Sequence, residues 1–220
     1  GSAQMENGKP LEAENVPSIM MHPSIYLPHV DYTGWYASEK YDGVRAVWTG
    51  TDLVSRKGKI FHHFPIESKN LLLQIAKTIK LDCELCMDEK HTSEAYAFAS
   101  SKDETVWKKV LLKIFDVVDL RLPFEQRLQI LKHLKQKLGE HDTISIADHI
   151  VIKNPEHCQQ FYESIVRPSN ATHFGEGIVL RAPNSMYTSG RSTSCVKRKL
   201  FNDTEVRFIG KHATQVKLIC

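Results

Sequence analysis

The amino-acid sequence predicts an α+β fold, and two observations support that prediction. Short apolar segments recur along the chain between turn signals, as expected for strands, whereas helical periodicity is clear in only a few places. Strands scattered among so few helices do not form the regular succession of a parallel βαβ sheet. With 220 residues, the chain can bury one good core or two packed lobes.

Six segments before residue 200 are predicted as strands. The first two are joined by a tight turn at Gly50, which is typical of a hairpin. The strands are expected at residues 45–49, 52–55, 79–86, 111–118, 177–181 and 194–199. Between residues 184 and 194 the chain is rich in Ser, Thr and Gly, which predicts a loop.

Three segments are predicted as helices. The clearest covers residues 124–138, with Pro123 and Gly139 favouring its start and its stop. Its apolar face consists of Phe124, Leu128, Leu131, Leu134 and Leu138. A second helix is expected to begin at Asn154-Pro155, and a third is expected to cover residues 68–77.

The chain is expected to divide into three parts. Residues 1–20 combine a Gly1-Ser2 start, typical of a cloning remnant, with a polar and flexible lead-in. Residues 21–201 would form the main domain. A new strand is predicted at residues 205–209, so residues 202–220 would be a linker and the start of a further, truncated domain.

The formal net charge of +3 does not by itself indicate a nucleic-acid partner. Basic residues are nevertheless concentrated between positions 181 and 199, a stretch without acidic residues. They are Arg181, Arg191, Lys197, Arg198 and Lys199. Such a stretch can bind phosphates, and a solvated basic loop is the alternative.

Five cysteines, an odd number, in a chain without an export signal favour an intracellular, reducing compartment. Cys83 and Cys86 form a lone C-x-x-C pair, for which zinc or redox chemistry is an alternative. A zinc ion would need a second pair of ligands at comparable spacing. Buried strand cysteines are therefore the favoured interpretation. The apolar runs are too short to cross a membrane.

The sharpest local signal is the segment Lys40-x-Asp42-Gly43-x-Arg45. A lysine attacks phosphorus only as the neutral amine, a form that neighbouring cations favour. Gly43 allows a sharp turn where the backbone must approach a nucleotide. Taken alone, these residues could also form a surface turn.

Two carboxylates, Asp82 and Glu84, alternate on an apolar strand and should therefore face one side of it. They repel each other unless something positive lies between them. A ribose hydroxyl bound by one, with a metal ion or a lysine beside the other, would explain both. A strand with one face in water is the alternative.

Three later strands carry further candidates. Phe115, which precedes Asp116, is either a core residue or a platform for a purine ring. Glu176 lies at the start of an apolar strand, where a magnesium ligand could reach a triphosphate. Lys197 and Lys199 alternate on one strand, and lysine is a suitable point charge for a phosphate. Each residue alone could be structural, whereas their combination favours a nucleotide site.

In this order the motifs resemble the collinear series of the covalent nucleotidyltransferases, a superfamily that contains DNA ligases, RNA ligases and mRNA capping enzymes. The series is Lys40-x-Asp42-Gly43-x-Arg45, Ser55-Arg56, Asp82-x-Glu84, Phe115-Asp116, Glu176-Gly177-x-Val179 and Lys197-x-Lys199. The surroundings of Lys40 and the segment Tyr187-x-x-Gly190-Arg191-Ser192 are most similar to the small bacterial-type ATP-dependent DNA ligases. The resemblance implies the nucleotidyltransferase fold, ATP-grasp-like, with antiparallel sheets flanked by helices.

The resemblance also implies roles for individual residues. Lys40 would carry AMP as a covalent lysyl-AMP, and Glu176 and Asp82 would hold Mg²⁺ or Mn²⁺. Arg56 and Arg191 would contact DNA, Arg56 at the 5′-phosphate of the nick. The residues that would bind the nucleotide are Ser38, Asp42, Arg45, Glu84 at the ribose, Phe115 at adenine, and Lys197 and Lys199 at the phosphates.

By the same resemblance, AMP would pass from Lys40 to the 5′-phosphate of nicked double-stranded DNA, and the 3′-hydroxyl would displace it and seal the strand, as in DNA repair and replication. ATP and nicked DNA are the expected partners of a monomer that binds no membrane. An RNA ligase or a capping guanylyltransferase would share the Lys40 chemistry. A catalytically silent nucleic-acid-binding module is a further alternative.

Two positions depart from the family pattern. Cys83 replaces the glycine that usually separates the two acidic residues, and Cys86 falls where a large aromatic is common. Neither change removes a reacting group. Family members also pair this domain with a C-terminal OB-fold, of which only a beginning is expected at residues 203–209, so the chain alone is expected to seal nicks poorly.

Overall fold

The computed structural model of the chain describes residues 8–87, 94–169 and 174–200, together with the strands Arg207–Ile209 and Ala213–Gln215. In chain order the strands are β1 (Met21–Ile25), β2 (Tyr36–Lys40), β3 (Val44–Trp48), β4 (Leu53–Ser55), β5 (Leu81–Cys86), β6 (Leu111–Val117), β7 (Ile144–Ile146), β8 (Ile150–Val151), β9 (Gly177–Arg181), β10 (Gly190–Lys199), β11 (Arg207–Ile209) and β12 (Ala213–Gln215). The α-helices are α1 (Val16–Ile19), α2 (Ile66–Ile75), α3 (Glu94–Ala97), α4 (Glu104–Trp107), α5 (Phe124–Leu138) and α6 (Pro155–Val166).

The strands in the described residues form two five-stranded sheets and a separate two-stranded sheet. The first sheet has the order β4-β3-β5-β6-β7, the second sheet has the order β1-β10-β9-β2-β8, and β11 pairs with β12. The predicted α+β class is therefore confirmed. The pairs β3–β5, β5–β6, β2–β9 and β9–β10 are antiparallel, as expected, but β6 and β7 run parallel. They can do so because the chain between them crosses over through α5.

The chain divides into two compact units. The first unit comprises Gly1–His22, Tyr41–Asp148 and Pro183–Ser192, and the second comprises Pro23–Lys40, His149–Ala182 and Thr193–Cys220. The predicted boundaries at residues 20 and 201 stay a prediction.

The core of the first unit lies between the first sheet and α5, which packs against β6 and β7. Helix α5 has the predicted bounds, and its face of Phe124, Leu128, Leu131 and Leu134 is buried. Gly139 ends it with a φ of 64°, a conformation that glycine adopts at little cost.

The core of the second unit lies between α6 and one face of the second sheet. Asn154 caps α6 by accepting a hydrogen bond from the His157 amide at 2.7 Å, and Pro155 occupies the first helical turn, as the sequence predicts. The buried core residues are Tyr32, Ala37, Ile152, Cys158, Tyr162, Val166, Ile178, Leu180 and Val196. Because strand residues alternate between faces, the opposite face of this sheet is left for other side chains.

Several predicted bounds change in the structure. The predicted helix 68–77 begins two residues earlier, at Ile66, and the predicted strand 79–86 begins at Leu81. Strand β10 begins at Gly190, inside the segment expected to be a loop. Cys83 and Cys86 are both buried on β5, as favoured above. None of the helices in the described residues has the length and apolar character needed to span a membrane.

Candidate active site

Lys40 lies at the end of β2, in line with residues of the two neighbouring strands. It pairs with Gly177 of β9, and Gly177 pairs in turn with Lys199 of β10. The Lys40 Nζ atom donates a hydrogen bond to Glu176 Oε1 at 3.2 Å, and Lys199 Nζ lies 3.5 Å from the same oxygen. Two ammonium groups therefore share one carboxylate, which leaves this part of the second unit positively charged.

The close approach of β9 and β10 depends on Gly177. A Cβ atom at this position would lie 2.0 Å from the carbonyl oxygen of Arg198, far inside contact distance. Only glycine therefore lets the strands pair here, and this pairing brings Lys199 to Glu176. The Glu176-Gly177 motif owes its second residue to this packing.

The same face of the second sheet carries two more of the predicted residues. Ser38 and Lys197 both pair with Val179, two residues along the strands from the row of Lys40 and Lys199 and therefore on the same face. Arg181 is buried and donates a hydrogen bond from Nη1 to Ser38 Oγ at 3.3 Å. The structure therefore groups Ser38, Lys40, Lys197 and Lys199 on the face that does not contribute to the α6 core.

In the first unit, Asp82 of β5 is surrounded by hydrogen-bond donors. Arg45 donates from Nε to Oδ1 at 2.7 Å and from Nη2 to Oδ2 at 2.5 Å. Tyr187 donates its hydroxyl to Oδ2 at 2.7 Å and accepts a hydrogen bond from the Met21 amide at 3.1 Å. Burial opposes the charge on Arg45, but the Asp82 carboxylate outweighs that effect and raises the pKa of the guanidinium. Burial and the same carboxylate raise the pKa of Tyr187.

The expectation that Asp82 holds a metal ion does not fit this geometry. Its side chain is 1% exposed, and both carboxylate oxygens accept hydrogen bonds from Arg45 or Tyr187. A magnesium ligand needs an oxygen that faces water or substrate. The positive group expected beside the two carboxylates is Arg45, which pairs with Glu84 from the adjacent strand β3.

Phe115 lies at an irregularity in the pairing of β5 with β6. Asp82 pairs with Asp116 whereas Cys83 pairs with Ile114, so Phe115 is an extra residue in β6, a β-bulge. The Arg45 guanidinium lies 5.6 Å from the centre of the Phe115 ring. A bulge changes the direction of its side chain. The Phe115 ring, the predicted adenine platform, is therefore not bound to the alternation of side chains between the two faces of β6.

The turn after Lys40 is fixed against the first sheet. A Cβ atom on Gly43 would lie 2.0 Å from the carbonyl oxygen of Leu85, so only glycine fits. Asp42 accepts a hydrogen bond from the Tyr96 hydroxyl. These contacts place the predicted Asp42 and Gly43 at the end of β5.

Arg56 and Arg191, the predicted DNA contacts, are both exposed, and both lie close enough to His22 to act on it. Burial and the charges of Arg45, Arg56 and Arg191 lower the pKa of His22 below its ordinary value of 6.5. The structure thus gathers three arginines around one histidine within the first unit.

Four residues of these networks were not predicted from the sequence to be part of a site. Arg127 on α5 is buried, donates to Asp116 Oδ1 at 2.9 Å and to the carbonyl oxygen of Ser185 at 2.9 Å. Tyr187 was noted only as part of a motif, and Arg181 only as part of a basic stretch. Tyr96 gave no signal. Arg127 lies at a buried position of an amphipathic helix, and a charge at such a position is the signal that could have revealed it.

Few carboxylates in the described residues could hold a divalent ion. Within residues 8–87, 94–169 and 174–200, no group of three or more His, Cys, Asp or Glu side chains is placed to hold a metal. Magnesium, however, commonly takes one or two protein carboxylates together with water and substrate phosphates. Glu176, which is part-exposed beside two lysines, fits that requirement as a single ligand.

The family model for the ATP dependent DNA ligase domain matches residues 18–199. A DNA ligase of Haemophilus influenzae is 32% identical over 181 residues, which are 81% of this chain and 63% of the relative. The chain therefore belongs to the family of ATP-dependent DNA ligase domains. It spans less than two thirds of the length of that relative.

Solved structures agree on the fold. The structure of a Lig E DNA ligase superposes with a TM-score of 0.69 at 23% identity, covering 90% of this chain and 79% of the other. A Chlorella virus DNA ligase-adenylate gives a TM-score of 0.66 at 20% identity, with coverages of 83% and 67%. The bacteriophage T7 ATP-dependent DNA ligase in complex with ATP gives 0.61 at 16% identity, with coverages of 84% and 70%. At these identities the likeness concerns the fold alone.

Proposed function

We propose that this chain is the adenylation domain of an ATP-dependent DNA ligase and that Lys40 is its nucleophile. The Lys40 ammonium gives up a proton to solvent, and its neutral Nζ attacks the α-phosphorus of ATP. A P–N bond forms, the bond between the α-phosphorus and the pyrophosphate oxygen breaks, and pyrophosphate leaves while the nitrogen loses a second proton to solvent. An oxygen of the 5′-phosphate at a nick then attacks the phosphorus of lysyl-AMP, a P–O bond forms, the P–N bond breaks, and the leaving Lys40 amine takes up a proton. The 3′-hydroxyl attacks that 5′-phosphate, the phosphodiester forms, and AMP leaves.

The observation that supports this proposal is the row of Lys40, Gly177 and Lys199 across three strands. It holds the amine of Lys40 within 3.2 Å of Glu176 and brings a second cation to the same carboxylate. Phosphoryl transfer depends mainly on alignment and on neutralising charge. A rigid strand end that carries a lysine beside another lysine is suited to both tasks.

The remaining nucleotide contacts are proposed from the motif positions. Lys197 and Lys199 would bind the phosphates from the face that they share with Lys40, and Ser38 would contribute less. In the first unit, Glu84 would bind the ribose and Phe115 would stack on adenine. There, Asp42 and Arg45 would shape the pocket. The hydrogen bonds between Arg45 and Asp82 indicate that these two residues hold the pocket in place and do not bind the nucleotide themselves.

A divalent cation is proposed to bind Glu176. When bound, it would supply positive charge to the triphosphate, together with the lysines. Glu176 Oε1 lies 3.2 Å from Lys40 Nζ and 3.5 Å from Lys199 Nζ. Its carboxylate therefore keeps both amines at one place.

Nicked DNA is the proposed substrate of the later steps, and Arg56 and Arg191 are the proposed contacts. Both are exposed and lie near His22 in one unit, so they present positive charge together. Arginine binds phosphate through two donors at once. Contacts of this kind read the DNA backbone, and we expect binding that weakens with salt and depends little on sequence.

Incubation with ATP and Mg²⁺ tests the proposal. Mass spectrometry should find one added AMP on Lys40 in the 220-residue chain, and none in the Lys40→Ala variant. Lys153→Ala, which removes an exposed lysine of the same unit, is the matched control and should still carry AMP. Absence of the adduct from the unaltered chain, or its persistence in Lys40→Ala, would contradict the proposal.

The same experiment separates the alternatives. A capping guanylyltransferase would take its label from GTP, and an RNA ligase would pass AMP to nicked RNA in preference to nicked DNA. The chain is incubated with labelled ATP or labelled GTP and then with nicked DNA or nicked RNA, which makes four combinations. We expect transfer only with ATP, and onward transfer with DNA.

A further inference from the structure

Lys113 of β6 lies in the first unit beside the proposed ribose ligand, and none of the roles above includes it. Glu84 pairs with Arg45 on one side and with Lys113 on the other. Directly paired residues of antiparallel strands project their side chains to the same face, with Cβ atoms about 5 Å apart. The three residues therefore form one row on one face of the first sheet.

Lys113 also contacts the turn that follows the nucleophile. Its Nζ atom lies over the Tyr41 ring, 5.6 Å from the ring centre, within the range of a cation–π contact. Gly43 presses this turn against the Leu85 carbonyl at the end of β5, so Tyr41 is held near the strand that carries Glu84. Lys113 thus lies among Tyr41, Glu84 and the end of β5.

The two cations of the row differ in what they can still bind. Arg45 donates from Nε and Nη2 to Asp82 and from Nη2 to the Met21 carbonyl oxygen, so its guanidinium is held in the scaffold. Lys113 is part-exposed, and its ammonium group has three N–H donors. Its contact with the face of the Tyr41 ring is electrostatic and does not pair these donors with an acceptor atom. Lys113 is the cation of this row that can reach a ligand.

We propose that Lys113 is a specificity-determining residue that, together with Glu84, recognises the 2′-hydroxyl of the ATP ribose. This inference rests on the proposed binding of the ribose by Glu84. A carboxylate accepts a hydrogen bond from a sugar hydroxyl, and an adjacent ammonium donates one to the hydroxyl oxygen. Because a site built to bind a hydroxyl leaves polar groups unsatisfied when that hydroxyl is missing, the pair discriminates against 2′-deoxy nucleotides.

Equilibrium dialysis with ATP and with dATP, in EDTA so that no transfer occurs, tests the role of Lys113. The Lys113→Met variant keeps the aliphatic packing on Tyr41 and removes the ammonium. We expect its preference for ATP over dATP to fall by about tenfold, the effect of one hydrogen bond to a charged group, with dATP binding nearly unchanged. Lys109→Met, which removes an exposed lysine before β6, should keep the preference.

An equal loss of affinity for both nucleotides, or an unchanged preference, would overturn the inference. An equal loss would mean that Lys113 merely supports the Tyr41 turn. Thermal unfolding of both variants monitors the fold. A chain that binds ATP but never gains AMP on Lys40 would contradict the proposed function, whereas the ratio of ATP to dATP affinity still decides the role of Lys113.

Discussion

Two ion pairs, one in each unit, lie in opposite environments. In the second unit, Lys40 and Glu176 form an ion pair whose side chains are 24% and 22% exposed. In the first unit, Arg127 and Asp116 form a pair whose side chains are 0% and 1% exposed. The Lys40–Glu176 pair is therefore accessible to solvent, whereas the Arg127–Asp116 pair is closed to it.

The difference also appears in how completely each group is bound. Arg127 donates to Asp116, to the carbonyl oxygens of Leu122 and Ser185, and lies over the rings of Phe124 and Tyr187. A buried charge is tolerated only when its hydrogen bonds are satisfied in this way. The buried network therefore fixes the scaffold, and the part-exposed lysines are left for the proposed chemistry.

Removal of the buried cation should give the largest effect on stability. Arg127→Met removes the guanidinium that neutralises the buried Asp116 carboxylate, which costs about 3–5 kcal/mol of the free energy of unfolding. Lys135→Met on the same helix is the matched control, because its pair with Asp148 is exposed and such pairs contribute about 0–1 kcal/mol. Urea denaturation measures both. Equal losses in the two variants would show that burial does not distinguish the pairs.

Removal of a part-exposed lysine should affect the reaction and spare the fold. Lys199→Met removes a cation proposed to neutralise phosphate charge, and we expect the rate of AMP transfer to Lys40 to fall by about a hundredfold or more. Its stability should change less than that of Arg127→Met, because Glu176 keeps its contact with Lys40. Single-turnover labelling with ATP measures the rate. A variant that labels normally would remove Lys199 from the proposed site.

Loss of one buried hydroxyl tests the network around Asp82 with a smaller change. Tyr187→Phe removes a donor to Asp82 and an acceptor for the Met21 amide, so we expect a loss of about 1–3 kcal/mol in the free energy of unfolding. Tyr32→Phe, which removes one acceptor from the Leu27 amide, should cost less. The ranking of the two variants in urea denaturation decides whether the Asp82 network is unusually sensitive.

The smallest expected effect is a pH dependence from His22. Burial and the neighbouring arginines lower its pKa in the folded chain, so the unfolded chain binds more protons between that lowered pKa and 6.5. Stability should therefore decrease as the pH falls through this window and level off below the folded pKa. Urea midpoints across the window should vary less for His22→Gln. A midpoint that rises as the pH falls through it would contradict this sign.

Local patterns were enough to predict many elements of the fold. Helix α5 and strand β9 have the predicted bounds, because a run of apolar residues with clear period and clear stop signals leaves little choice. Strand β2, which carries Lys40, was missed because its residues Tyr36–Lys40 do not alternate simply between apolar and polar. It is a strand because β8 and β9 pair with it on both sides.

For the site, the sequence determined which residue types stand in motif order and that Lys40 is the candidate nucleophile. It could not show that Asp82 accepts hydrogen bonds from Arg45 and Tyr187. Residues 82 and 187 are far apart along the chain, and only the folded structure brings them into contact. Hydrogen bonds between distant segments carry no local signature, so the tertiary structure alone decided which charges are buried in the scaffold and which stay within reach of a substrate.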